Sequence, residues 1–460
     1  MKPEKMWSRD RYRPALHGDD TIYINRVVPG EGKISLFWQS GCDGVYDVSF
    51  RVMGSGSEWK SETVRGCSAT LSGLCDGVDY EITVRCGREY SDVCIARPGF
   101  VPGTVVNYLN PLDKKYIFSG AHLCTPSLLR HPDGYLLASM DIYDGGQPQN
   151  LTLIFRSDDD GESWYHYTEL FPCYWGKLFM HRGEVYMLSV STEYGDLLIG
   201  KSDDGGKSFG LPTVLFRGSC DNTHSGWHKS SMPILEHCGR LWTGIDYGCY
   251  LEGGHASCLL SAPVDADLLD PMSWSMSEPL RYDPTWEGAA EGKSSGFIEG
   301  NAVVLPNGGI GNILRYSTVS CRPSWGLAGL LRGNIGEPEK QLEFEKFVRF
   351  PGNLSKFDVC FDPVSGKYYS IISKITPKNP VKARNYLALA ASDDLEDWRI
   401  VCDLLDYSDM DCQKVGFQYI SFIFDGDDIL YLSRTAFNGA ESYHDSNYIT
   451  FHRIENFRDL

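Results

Sequence analysis

The chain has 460 residues, 42% of them hydrophobic and 13% aromatic, with 48 glycines and 23 prolines, so it is long enough to bury more than one core and rich in residues that punctuate short strands. A formal net charge of -18 at pH 7 argues against nucleic acid and anionic membranes as partners, and any anionic substrate then needs a local basic patch. Residues 1–10 lack the apolar core of a secretion signal, no stretch is long enough to cross a bilayer, and the 15 cysteines include no CxxC pair. The expectation is free thiols, no zinc and a cytoplasmic location, with export and disulfides as the alternative.

From residue 22 to 98 apolar and polar residues alternate in short runs separated by glycine turns. Lys33–Trp38, Tyr46–Val52 and Tyr80–Arg85 have the period of half-buried strands. The segment Leu74–Val84, reading Leu-Cys-Asp-Gly-Val-Asp-Tyr-Glu-Ile-Thr-Val, resembles the tyrosine corner of fibronectin type III domains, and Trp38 stands where that fold buries a tryptophan. The resemblance implies a small β-sandwich over residues 1–104, a spacer or a wall beside an active site, with glycan binding as the alternative.

Beyond residue 107 the pattern becomes one of repeated hairpins. They run from Leu123 to Asp141, Trp175 to Val190, Trp227 to Asp246, Ile298 to Tyr316, Lys356 to Ser373 and Gln418 to Ala436, each turning at a glycine. Their spacing of roughly 50 to 70 residues fits one propeller blade per hairpin. Three turns carry a further signature: Ser157-Asp-Asp159-Asp-Gly161-Glu-Ser-Trp164, Ser202-Asp-Asp204-Gly-Gly206-Lys-Ser-Phe209, and Ser392-Asp-Asp394-Leu-Glu-Asp-Trp398 without the glycine. Ser and Asp close such a turn on its own backbone, and the aromatic buries itself beneath. These turns resemble the Asp boxes of the sialidase superfamily. The resemblance implies an all-β chain whose residues 105–460 form a six-bladed β-propeller, seven blades being the alternative, and assigns the boxes a structural role.

In a propeller the first strand of each blade lines a central channel, so residues opening those strands meet although distant in sequence. Here they include His122, Cys124, Lys177, His228, Lys229, Glu299, Asn301, Lys356, Gln418 and Tyr419. The resemblance assigns Glu299 as the catalytic glutamate, Arg315 as a substrate-binding arginine and Tyr419 as the nucleophile. For the general acid it points to Asp144, with Asp141 as runner-up. Two departures stand out: Cys124-Thr-Pro-Ser-Leu128 begins with cysteine where the family has the first arginine of its carboxylate clamp, and Lys356 stands in the place of the third. One Arg, one Lys and a Cys do not rebuild a planar bidentate clamp.

The resemblance therefore implies an exo-acting glycoside hydrolase releasing a terminal, acidic sugar from oligosaccharides, with Glu299 activating Tyr419 and Asp144 protonating the leaving oxygen. The alternative is β-elimination at a uronate such as rhamnosyl-glucuronate, with His228 or Tyr419 as base and Lys229, Asn301, Arg315 and Lys356 quenching the enolate. Gly226–Lys229, Glu299–Asn301, Phe417–Tyr419, Ser433–Ala436 and His444–Asn447 look like a bacterial group of sialidase-like propellers lacking the arginine triad. That likeness adds Gln418, Trp227, Arg434 and His444 to the substrate-binding candidates. A third reading is an inactive glycan-binding propeller. No cofactor is implied, although a cation such as calcium is compatible with His444, Asp445 and Asn447. His224 and His228 sit before a strand rather than on a helix, which argues against a zinc pair. Arg384 reads equally as a channel residue or as a solvated bend.

Overall fold

A computed structural model describes residues 6–7, 22–42, 44–377 and 380–460. Among them regular structure is almost entirely β-strand, with only three-residue 3-10 turns for helix. Residues 23–96 build two sheets. Tyr23–Gly30, Lys33–Gln39 and Ser68–Ser72 form one; Lys60–Arg65, Val45–Val52 and Tyr80–Cys86, edged by Glu89–Tyr90 and Cys94–Ala96, form the other. The alternation read from the sequence is the reason they pack: Ile34, Leu36 and Trp38 on one sheet face Tyr46, Val48, Ile82 and Val84 on the other, all buried. The Tyr80 hydroxyl accepts the Cys75 N–H at 3.0 Å.

The rest of the chain forms six antiparallel sheets of four or more strands, in chain order. Their inner ends are His122–Arg130, Tyr174–His181, Gly226–His228, Phe297–Val304, Cys360–Asp362 and Gly416–Asp425. The sixth sheet is completed by Thr104–Tyr108, which pairs with Tyr448–Ile454, so strands from both halves of the chain close the last sheet. Second strands such as Leu136–Tyr143 are buried almost end to end because neighbouring sheets cover both faces. Two hairpins differ from the sequence reading. The third is interrupted after His228 and resumes at Leu235, and the strand of the fifth begins at Cys360, leaving Lys356 in the segment before it. Met6 and Trp7, expected with the sandwich, instead bond to the second sheet: Met6 bridges Gly210, and the Trp7 indole donates to the Pro172 carbonyl at 2.8 Å.

The three Ser/Asp turns close as their residues dictate. Asp159 accepts the Ser163 N–H at 2.9 Å, Ser157 accepts the Gly161 N–H at 2.9 Å, and the Trp164 indole donates to the Gly161 carbonyl at 3.2 Å. Gly161 has φ +92°, and a Cβ there would lie 2.2 Å from the Phe451 ring. The second turn repeats these bonds through Asp204 and Ser202, while in the third Leu395 takes φ +70° in place of the glycine. The 15 cysteines are all unpaired thiols.

Candidate active site

Four inner strands break register at the same place, and each break holds a non-glycine residue with positive φ: Thr125 (+45°), Trp175 (+52°), Glu299 (+59°) and Tyr419 (+54°). Such a conformation costs about 1 kcal/mol or more, and a bulge re-aims the side chain that carries it. Two of the four are held by carboxylates from the preceding sheet. Asp141 accepts the Trp175 N–H at 2.9 Å, and Asp246 accepts the Glu299 N–H at 2.7 Å. Just past the bulges, polar side chains lace sheet to sheet: Ser127 accepts from Leu178 N–H at 3.0 Å and Ser421 from Leu128 N–H at 3.2 Å.

The bulges bring Glu299 and Tyr419 together although 120 positions separate them in the sequence (419 less 299). Arg315 Nη1 donates to Glu299 Oε2 at 2.8 Å. The Arg434 guanidinium lies 5.0 Å over the Tyr419 ring and 5.2 Å from that of Tyr143, and its Nη2 donates to the His444 carbonyl at 2.5 Å. Arg384 completes the group, with Nη1 donating to Gln418 Oε1 and Nη2 to the Leu354 carbonyl at 3.2 Å. The Nε–H groups of Arg315, Arg384 and Arg434 are all buried without a partner among the described residues. Three guanidinium groups thus surround one tyrosine and one carboxylate.

These charges set the protonation states. Burial opposes the charge of Glu299, yet Arg315 and His228 outweigh it and hold its carboxyl below the usual range. Burial, reinforced by Glu299, pushes the Tyr419 phenol up to about 12 against the pull of Arg315, Arg384 and Arg434. Burial and the proximity of Arg315 bring Arg384 down to about 10. At neutral pH the site therefore holds a neutral phenol beside an ionised carboxylate. Tyr250, exposed on the turn between the two long strands of the third sheet, is close enough to feel the charges of Arg315, Glu299 and Tyr419.

The other sequence candidates divide. His228 stays at the edge of the site: it packs 4.1 Å from the Trp175 ring, its Nδ1 lies 3.7 Å from Asp246, and its charge bears on Glu299. Gln418 is fully buried and spends both ends on protein, with Nε2 donating to the Tyr443 carbonyl at 2.5 Å, so it positions Arg384 rather than meeting substrate. His444 pairs with Asp445 at 2.9 Å and presents only its carbonyl to Arg434 as a strong contact. Asp144 lies half-buried in the loop after the first sheet's second strand, where its charge bears on His122; no hydrogen bond joins it to Tyr419 or Glu299.

Five sequence candidates take other places in the structure. Trp227 belongs to the core between the second and third sheets, its indole satisfied by the Arg217 carbonyl at 3.0 Å. Asn301 is buried and laces the fourth sheet to the fifth, donating to the Phe357 carbonyl and accepting the Val359 N–H, each at 3.0 Å. Lys229 and Lys356 are buried past the bulges: Lys356 bonds to Asp358 at 2.5 Å and to the Ile420 carbonyl at 3.0 Å, so Arg384, not Lys356, stands beside Tyr419 as the third cation. Asp141 is a structural acceptor, bonded to Thr152 and Trp175, and burial raises it to about 8. Among the described residues no three His, Cys, Asp or Glu side chains are grouped to hold a metal.

No protein-family model and no curated protein matches the sequence. Solved structures match the fold. The Hadza microbial sialidase Hz136 aligns over 95% of this chain and 97% of its own at 11% identity with a TM-score of 0.52. A leech intramolecular trans-sialidase aligns over 95% and 92% at 9% identity, TM-score 0.50. The Penicillium chrysogenum α-L-arabinanase aligns over 78% and 99% at 13% identity, TM-score 0.51. The chain thus shares the β-propeller fold of these proteins.

Proposed function

We propose that the chain is an exo-acting glycoside hydrolase releasing a terminal acidic sugar from an oligosaccharide, with a fibronectin type III-like domain over residues 1–104 and the catalytic propeller over 105–460. The observation that carries this reading is the set of three buried guanidinium groups with unsatisfied Nε–H donors around the Tyr419–Glu299 pair. Burying three such cations is costly unless an anion completes them, and a carboxylate on the sugar is the group their planar forks fit. The sialidase and arabinanase folds support glycoside chemistry on this scaffold.

In this scheme the Tyr419 hydroxyl gives its proton to Glu299 as its oxygen attacks the anomeric carbon. The glycosidic C–O bond breaks and the leaving oxygen takes a proton from Asp144, in the loop after the first sheet's second strand. Water, deprotonated by Asp144, then attacks the anomeric carbon, the bond from that carbon to the Tyr419 oxygen breaks, and the phenolate recovers its proton from Glu299. A neutral phenol suits an anionic sugar because it does not repel it. The arginines hold the carboxylate throughout and offset charge as it redistributes.

His228, set between Trp175 and Asp246, supports elimination at a uronate as the second reading. A panel of acidic oligosaccharides incubated with the native chain, Tyr419→Phe, Glu299→Gln and His228→Ala separates the two. Hydrolysis is lost in the first two variants with no new ultraviolet band. Elimination instead yields an unsaturated uronate absorbing at about 235 nm and depends on His228. Retention of the glycans without turnover in the native chain overturns both.

A further inference from the structure

Past the bulges the channel holds a second charged cluster that the catalytic scheme does not use. Lys177 from the second sheet, Lys229 from the third and Lys356 from the segment leading into the fifth are all at most 7% exposed. Their bonds are few. Among the described residues Lys177 Nζ reaches only Ser421 Oγ at 3.5 Å, Lys229 reaches the Ser230 carbonyl at 2.8 Å and Thr243 Oγ1 at 3.4 Å, and Lys356 holds Asp358 and the Ile420 carbonyl. The charges are close enough to act on one another, Lys229 sensing both other lysines and Asp358. Asp358 balances one of the three. The buried hydroxyls of Ser230 and Ser355, each next in sequence to one of these lysines, have no partner among the described residues.

Asp246, buried and hydrogen-bonded to the Glu299 N–H, also acts on Lys229, but more weakly than Asp358. With all three lysines protonated, Asp358 and Asp246 still leave a surplus of positive charge that a dry interior does not tolerate. Burial and mutual repulsion accordingly lower Lys177 and bring Lys229 well below its ordinary value. We propose that a small monovalent anion, chloride in ordinary buffers, binds in the channel between Lys177, Lys229 and Lys356 and neutralises the cluster. It is distinct from the arginine site, which faces Tyr419, and does not depend on the glycosidase reading.

Crystals grown with bromide in place of chloride test this directly. An anomalous peak within contact of the three Nζ atoms is expected, together with a halide-specific rise in Tm of roughly 2 °C over sodium gluconate at equal ionic strength. Lys229→Met removes that rise, and Lys177→Met, at the least buried of the three, serves if the first variant does not fold. No bromide peak in the channel overturns the proposal, as does a Tm that is equal in halide and gluconate or a halide effect that survives in the variants.

Discussion

Tyr419 is a nucleophile only if its proton has somewhere to go, and its environment supplies the place: the phenol lies near 12 while Glu299 stays ionised beside it. Tyr419→Phe is expected to lower kcat by about a thousandfold or more without unfolding the chain, since the ring is retained, as assayed by turnover and circular dichroism. Because Glu299 is held below the ordinary carboxylate value of 4.5, its ionised form persists into acid. The acid limb of kcat/KM should therefore fall only below about pH 4.5 in the native chain. Arg384→Lys keeps charge but loses the planar fork, and is expected to cut kcat/KM for an acidic substrate by roughly 10- to 100-fold, mainly through KM, while leaving a neutral analogue unaffected. Glu299 and Tyr419 stood out in the sequence as polar strand openers, whereas Arg315 was singled out only through the likeness to sialidases. Arg384 could be read only as a channel residue or a solvated bend, because it precedes a third strand in a segment with no periodicity, and Lys356 at a strand-opening position took the place of the third cation.

At the scale of the element, the bulge is the unit that makes the site. Its residues were visible as strand openers, but the register break was not, since it depends on N–H groups that an adjacent sheet captures. Asp246 captures one of them for Glu299. Asp246→Ala should cost stability by about 1–3 kcal/mol and also activity, because Glu299 loses the bond that holds its backbone. Asp141 does the same for Trp175, and its carboxyl is raised from 3.8 to about 8 by burial. The folded state thus favours its protonated form, so its contribution is complete below about pH 4 and is lost as pH rises toward 8. Tm measured across that window should fall less steeply in Asp141→Asn than in the native chain. The same logic accounts for Asn301 and Trp227: polar and aromatic residues near the channel suggested sugar contacts, but their partners are backbone groups of neighbouring sheets.

At the scale of the molecule, the six hairpins could be counted from their glycine turns and the Ser/Asp boxes, because each carries its own local pattern. The strand Thr104–Tyr108 could not be assigned to the sixth sheet, since its partner lies more than 300 residues away and nothing local announces it. That pairing fixes an order of events during synthesis. The strand leaves the ribosome directly behind the two N-terminal sheets, and its edge stays unmatched until Tyr448–Ile454 follows, so those sheets are expected to fold first and carry a waiting edge until then. Nascent chains arrested before residue 448 should accordingly contain a protease-resistant sandwich and an open, chaperone-bound remainder, and resistance of the whole should arrive in one step once the final strand is released.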